Sequence, residues 1–214
     1  YIKENRKEFY TAIEPPEKKE YYKLAPPQQR LYILERLVAD NIGYNMPCVI
    51  PIDDNIEYKK LETVFKKLIE RHESLRTSFI TVNAEPVQRI HREVDFSIGS
   101  YEIMEEVDTN AFISRFTKPF QLDRAPLLKV NLISVGPANP VRRFLFIDMH
   151  HIIADGQSQD ILAKEFRELL AGVALQPLRF QYSDYSEWYN RVLLDKSLKQ
   201  QEYYWLKEFS GELP

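Results

Sequence analysis

Phe144-Leu145-Phe146-Ile147-Asp148-Met149-His150-His151-Ile152-Ile153-Ala154-Asp155-Gly156-Gln157 changes character twice in a single pass. An apolar run ends in two adjacent histidines, a short acidic turn follows, and a helical pattern begins near Gln157. That pattern places Ile161, Leu162, Phe166, Leu169 and Leu170 on one face and ends at Gly172. Strand, turn and helix in this order put a histidine where the strand holds its backbone and the turn gives access. Successive strand side chains point to opposite faces, so His150 and His151 divide the work, one buried and structural, the other exposed and chemical. An imidazole titrates near neutral pH and can take a proton there. Asp155 can orient an imidazole or tie the turn to a basic partner. Gly156 suits a junction where a side chain would block substrate or strain the backbone. By itself the pair is weak: a histidine at a strand end is more often a satisfied structural group, and Asp-Gly is usually only a turn.

Working outward, Arg142–Met149 pairs with Leu127–Val135 across the Gly136–Pro140 turn as a hairpin. Leu75–Val82 and Pro86–His91 form another around Asn83-Ala84-Glu85, and further strands are expected at Tyr44–Ile52 and Tyr101–Ile103. Glu57–Arg71 is the clearest helix, with Leu61, Val64, Phe65, Leu68 and Ile69 in one stripe. Gln28–Val38 reads as a helix with an apolar face of Leu31, Leu34, Leu37 and Val38, and Thr109–Phe116 as a short one. Tyr182–Leu194 and Leu198–Phe209 close the series. Strands interleaved with helices predict an α/β fold, a mixed β-sheet covered by helices in a two-layer sandwich.

Composition narrows the function. The 214 residues are 44% hydrophobic and 13% aromatic, enough for a substantial core. A net charge of −3, from 29 basic and 32 acidic side chains, offers no basic field for nucleic acid. Cys48 is the single cysteine, which excludes an internal disulfide and suggests a reducing compartment. No apolar stretch approaches the ~20 residues of a membrane span, and the charged N-terminus lacks the apolar core of a signal peptide. The expected location is the cytoplasm. His72 and His91 are scattered, with no metal-ligand spacing. There is no nucleophile elbow and no phosphate loop.

The histidine stretch resembles the His-His-x-x-x-Asp-Gly signature of nonribosomal peptide synthetase condensation domains, and three other stretches match that family in order. Gln28-Gln29-Arg30-Leu31-Tyr32-Ile33-Leu34 resembles its first motif, although Ala25 and Pro27 stand where serine and alanine are usual. Arg71-His72-Glu73-Ser74-Leu75-Arg76-Thr77-Ser78-Phe79 matches the second, and Tyr182-Ser183-Asp184-Tyr185-Ser186-Glu187-Trp188 the fourth. The resemblance spans roughly residues 24–209.

It implies one of two chloramphenicol-acetyltransferase-like lobes that form a V, with the active site between them. Residues 1–20 are then a linker following an upstream carrier domain, 21–181 the N-terminal lobe, and 182–214 helices leading towards a C-terminal lobe outside this chain. The implied reaction is attack by the amine of a carrier-bound aminoacyl acceptor on a carrier-bound acyl or peptidyl thioester, forming an amide. The implied partners are donor and acceptor carrier proteins, whose 4′-phosphopantetheine arms present the substrates, and an adjacent adenylation domain. No covalently bound cofactor and no metal are expected. His151 is implied as the active-site residue, with two roles open: accepting the amine proton, or holding the amine and steadying the tetrahedral intermediate. His150 is implied as support. Asp155 is implied to hold its loop through an arginine, with Arg71 or Arg76 as the expected partner. An epimerisation domain of the same superfamily and a non-catalytic carrier-docking module are the alternatives. His150 and His151 count against a heterocyclisation domain, which carries aspartates there. A single lobe holds only half a tunnel, so little activity is expected of this chain alone.

Overall fold

The computed structural model describes residues 17–104, 109–136, 142–193 and 196–211, together with residue 13. The linker expected over 1–20 falls mostly outside the described residues, as do the turn from 137 to 141 and Leu194.

Two sheets organise the described residues. The larger contains β2 (Cys48–Ile52), β7 (Arg142–Met149), β6 (Leu128–Val135) and β5 (Gly99–Ile103) in that spatial order. The expected hairpin is antiparallel from Leu128↔Met149 to Val135↔Arg142, whereas β5 runs parallel to β6, which makes the sheet mixed. A smaller antiparallel sheet joins β1 (Tyr22–Lys23), β4 (Glu85–Ile90) and β3 (Thr77–Val82). Asn83 and Ala84 take positive φ, 51° and 64°, at the tip of the second hairpin. The expected α/β class is what the chain adopts, and the separate small sheet is an addition to it.

Alternation along β7 explains why the large sheet is covered on both faces. Leu145 joins the cluster built by α2 (Tyr58–Arg71) and α4 (Gly156–Leu170), with Leu61, Phe65, Leu68 and Phe166. Its neighbour Phe146 joins the opposite cluster with Phe112 and Phe116 of α3 (Thr109–Phe116). Each such side chain taken fully from water contributes about 1.5–3 kcal/mol. The stripe on α2 is buried as its spacing predicts.

The face of α1 (Pro26–Leu37) is a correction. Leu34, Leu37 and Val38 are exposed, while Gln28 and Tyr32 are buried and Glu35 turns inward beside them. The helical period is as expected, but the inward face is polar, because it packs on the turn that carries the histidines. Helix α5 (Tyr182–Leu193) is fastened beside β1: Ser186 Oγ donates to Lys23 O (2.6 Å) and Asn190 Nδ2 to Leu24 O (3.0 Å). Helix α6 (Lys196–Glu208) exposes Tyr203, Tyr204, Trp205 and Leu206.

Candidate active site

The end of β7 is gripped from both sides. Met46 N–H donates to Met149 O (2.8 Å), His150 N–H to Leu127 O (3.1 Å) and His151 N–H to Tyr44 O (2.8 Å). The expected strand from Tyr44 is regular only from Cys48; ahead of it Asn45 makes an isolated bridge to His150. Pro47, which has no N–H to give a ladder, separates the two pieces.

The two histidines part as strand alternation predicts. His150 is fully buried, between the rings of Tyr44 and Phe120. Its Nδ1 accepts from Ile152 N–H (3.0 Å), which assigns the ring proton to Nε2. His151 is exposed. Its Nδ1 lies 2.7 Å from Ala154 O, and a carbonyl can only accept, so Nδ1 carries a proton and, in the neutral ring, the lone pair is on Nε2. Adjacent imidazoles are thus held in opposite tautomers by backbone groups of one turn. The exposed one has a basic nitrogen that makes no hydrogen bond among the described residues.

Burial, with His151 alongside, drives His150 down from the ordinary 6.5 to about 4. Its folded-state affinity for protons is the weaker, so the unfolded chain takes up the proton first as pH falls. The stabilisation is complete above 6.5 and lost by about 4, worth on the order of 3 kcal/mol across that window. Glu35 and Asp148, both raised by burial, act in the opposite sense. Urea unfolding at pH 7 and 4.5 should show the loss, and a foldable His150→Asn variant should show less of it. Equal losses in the two proteins would refute the assignment.

Asp155 corrects the sequence expectation. It is the N-cap of α4, accepting from Ser158 N–H (2.8 Å) and Ser158 Oγ (2.6 Å), and those bonds hold its carboxyl below the usual range. The arginines are engaged elsewhere. Arg71 Nε donates to both oxygens of Glu165 (3.1 and 3.0 Å), and Arg76 binds Glu73 and His91 O. A helix N-terminus carries free N–H groups one turn away, so the local cap satisfies the carboxylate without a distant guanidinium. Replacing Asp155 with alanine should cost about 1 kcal/mol, with asparagine or serine restoring most of it. The benefit is present above the unfolded carboxyl's range and lost as pH falls through the lowered folded value. A urea midpoint unchanged in the alanine variant at pH 7 would show that the cap is idle. For Gly156 the strain half of the expectation fails. It has no positive φ, and a Cβ there would meet nothing within 4 Å, so backbone strain does not require glycine.

The other motif residues build the frame. Gln28 ties α1 to the turn: its Oε1 accepts from Ala25 N–H (3.1 Å) and its Nε2 reaches Ile152 O (3.4 Å). Glu165 of α4 receives His72 Nε2–H (2.6 Å) as well as Arg71, while Arg71 Nη1 reaches Gln176 O (2.6 Å). Ser183 Oγ donates to Glu73 Oε2 (3.2 Å). Glu35 and Glu165 escaped the sequence reading, although each is a carboxylate on the inward side of an amphipathic helix. A cavity of about 470 Å³ lies between β2, β7, α2 and α4, lined by Ile50, Phe65, Met149, Leu162 and Phe166. Its walls suit an apolar group. Among the described residues no cluster of three metal-ligating side chains occurs, and no helix is long and apolar enough to cross a membrane.

A family model described as the condensation domain matches residues 18–214. The chain belongs to the condensation-domain family of nonribosomal peptide synthetases. Gramicidin S synthase 2 of Aneurinibacillus migulanus is 44% identical over 214 residues, covering 100% of this chain and 5% of that protein. Bacitracin synthase 3 of Bacillus licheniformis is 39% identical over 214 residues, covering 100% and 3%. Among solved structures, the starter condensation domain of the rhizomide synthetase RzmA superposes with a TM-score of 0.75 at 22% identity, covering 91% of this chain and 49% of that one. The X-domain from teicoplanin biosynthesis, solved in complex with OxyB, gives 0.81 at 25% identity, covering 95% and 48%. The condensation-domain chain therefore spans a small fraction of its curated relatives and about half of these solved chains.

Proposed function

We propose that this chain supplies the histidine-bearing wall of an amide-forming site. There the amine of a carrier-bound aminoacyl acceptor attacks the thioester carbonyl of a carrier-bound acyl or peptidyl donor. The C–N bond forms, the C–S bond breaks, and the sulfur leaves on the donor's phosphopantetheine arm. The observation that carries this reading is the tautomer of His151: Nδ1–H is tied to Ala154 O, so Nε2 can receive the proton released by the attacking amine and pass it to the departing sulfur. His150 supports the turn from beneath, and Asp155 sets the start of α4. The empty space beside Gly156 is clearance for substrate. Arg71 and Arg76 act at a distance, Arg71 by clamping α4 through Glu165.

The division into a linker at 1–20, a lobe at 21–181 and outgoing helices at 182–214 is part of the same proposal. So are a facing C-terminal lobe, an adjacent adenylation domain, and a cytoplasmic setting with no cofactor held covalently by this chain. Holding both arms in one site supplies proximity, worth on the order of 7–11 kcal/mol for well-oriented reactants. One wall alone gives up most of that, so the 214-residue chain by itself should form little product. The test uses these residues within a complete synthetase, with loaded donor and acceptor carriers and mass spectrometry of the acceptor thioester. Chain extension supports the reading, and a loaded, folded synthetase that forms no amide would overturn it. A second reading, a protein-docking module without chemistry, draws on the likeness to an X-domain solved in complex with another protein, OxyB, and predicts carrier binding without extension.

A further inference from the structure

Glu35 stands apart from the exposed carboxylates of the chain. It lies on α1 with its side chain only 9% exposed, and its Oε2 is 3.4 Å from Nε2 of the fully buried His150. The same oxygen accepts from Asn41 Nδ2–H (3.0 Å). Nε2 of His150 has no hydrogen-bond partner among the described residues. Because Nδ1 accepts from Ile152 N–H, Nε2 must carry the proton, and a buried N–H left unmatched is costly. At 3.4 Å the carboxylate faces that nitrogen without a formed hydrogen bond.

The two groups that meet at Glu35 lead to opposite sides of His151. Through His150 the path reaches the turn itself, where Ile152 N–H binds the His150 ring and Ile153 N–H binds His150 O (3.1 Å). Through Asn41 it reaches the segment before β2. There Asn41 Oδ1 accepts from Gly43 N–H (2.8 Å), and the next residue's carbonyl, Tyr44 O, accepts from His151 N–H. One carboxylate is therefore bonded to Asn41 and faces His150, which lead to the two supports of the reactive imidazole.

We propose that Glu35 is a positioning residue for His151, its carboxylate holding the His150 Nε2–H and the Asn41 segment in one arrangement and so fixing the His151 imidazole in its Nδ1–H form. This rests on the assignment of His151 to the reacting centre. It adds a residue on a separate helix, outside the histidine turn, whose effect is transmitted rather than direct. A solvated helix-face glutamate would do none of this, but its near-complete burial against a histidine argues against that role.

The test pairs a spectroscopic measurement on the chain with kinetics in the complete synthetase. The chain has four histidines, so ¹⁵N-histidine labelling and long-range proton–nitrogen correlation can assign each tautomer. Wild type should show His150 as Nε2–H and His151 as Nδ1–H. Glu35→Ala should mix the His151 tautomers and lower kcat roughly ten- to a hundredfold, leaving KM for both carriers within about twofold. Glu35→Gln, which keeps an acceptor oxygen, should restore the single tautomer and most of the rate. Should the alanine variant not fold, Asn41→Ala removes one brace and is expected to give the same signature more weakly. A folded Glu35→Ala or Asn41→Ala protein with an unmixed His151 tautomer and wild-type kcat overturns the proposal. So does a glutamine variant as impaired as the alanine one. A wild-type synthetase that forms no amide sinks the functional reading instead and leaves the tautomer measurement standing.

Discussion

Glu165→Ala is expected to destabilise the chain by about 3–4 kcal/mol, in the lower part of the range for breaking a buried ion pair. Glu165 receives Arg71 through two bonds and His72 through a third, and the side chains of the three are only 11–17% exposed. Removing the carboxylate leaves the guanidinium in a largely buried position with Gln176 O as its remaining partner among the described residues. The damage spreads because Arg71 and His72 stand at the C-terminal end of α2, and Gln181 Nε2 caps Arg71 O (3.0 Å) on the way into α5. Glu165→Gln retains an acceptor without the charge and should fall between. In a chain of this length, 3–4 kcal/mol corresponds to a lowering of Tm by roughly 6–16 °C. Urea unfolding at pH 7 measures it directly, and a loss below about 1 kcal/mol would reduce the cluster to a surface ion pair.

That cluster shows what the second family motif contributes physically. Arg71, His72 and Glu73 hold α2, α4 and α5 together, with Ser183 of the fourth motif bound to Glu73. Gln28 of the first motif ties α1 to the histidine turn. The motifs lie far apart in the chain and close around one short turn. Among the described residues of these motifs, the histidine motif presents the exposed imidazole nitrogen that makes no hydrogen bond, and the others frame its turn.

Much of this arrangement was legible before the structure. The β6–β7 hairpin, α2 and α4 follow from apolar periodicity, and strand alternation foretold that His150 and His151 would separate. Three things were not legible, each for a physical reason. On α1 Leu31 packs against the core but Leu34 and Leu37 face outward, since the surface beneath the helix is partly polar and selects Gln28, Tyr32 and Glu35; hydrophobic spacing alone misplaces the face. The two-residue strand Tyr22–Lys23 is too short for any periodicity to reveal. The partners of Asp155 and Arg71 were transposed. The cap on Ser158 is local and visible as an aspartate three residues before a serine at a helix start, whereas Glu165 lies 94 positions from Arg71. Long-range ion pairing is set by the fold and leaves no local mark.

His151→Ala should leave the fold intact and remove most of the amide-forming rate. The side chain is exposed and makes one side-chain hydrogen bond among the described residues, to Ala154 O, so its loss should change stability by about 0.5 kcal/mol or less. The chemistry is different. A positioned general base contributes typically 10²–10⁴-fold, equivalent to about 3–5 kcal/mol at the transition state. The attacking amine becomes positively charged as the C–N bond forms, and Nε2 of a neutral imidazole held in the Nδ1–H form is an acceptor for that proton. If His151 acts by proton transfer, His151→Gln should be as slow as the alanine variant, because an amide oxygen can accept a hydrogen bond without taking the proton. If its role is to hold the amine, the glutamine variant should recover a substantial part of the rate. Single-turnover transfer between loaded carriers in the complete synthetase separates the two, since binding and product release then drop out of the measured constant. A His151→Ala synthetase that extends its acceptor at the wild-type single-turnover rate would remove His151 from the chemistry altogether.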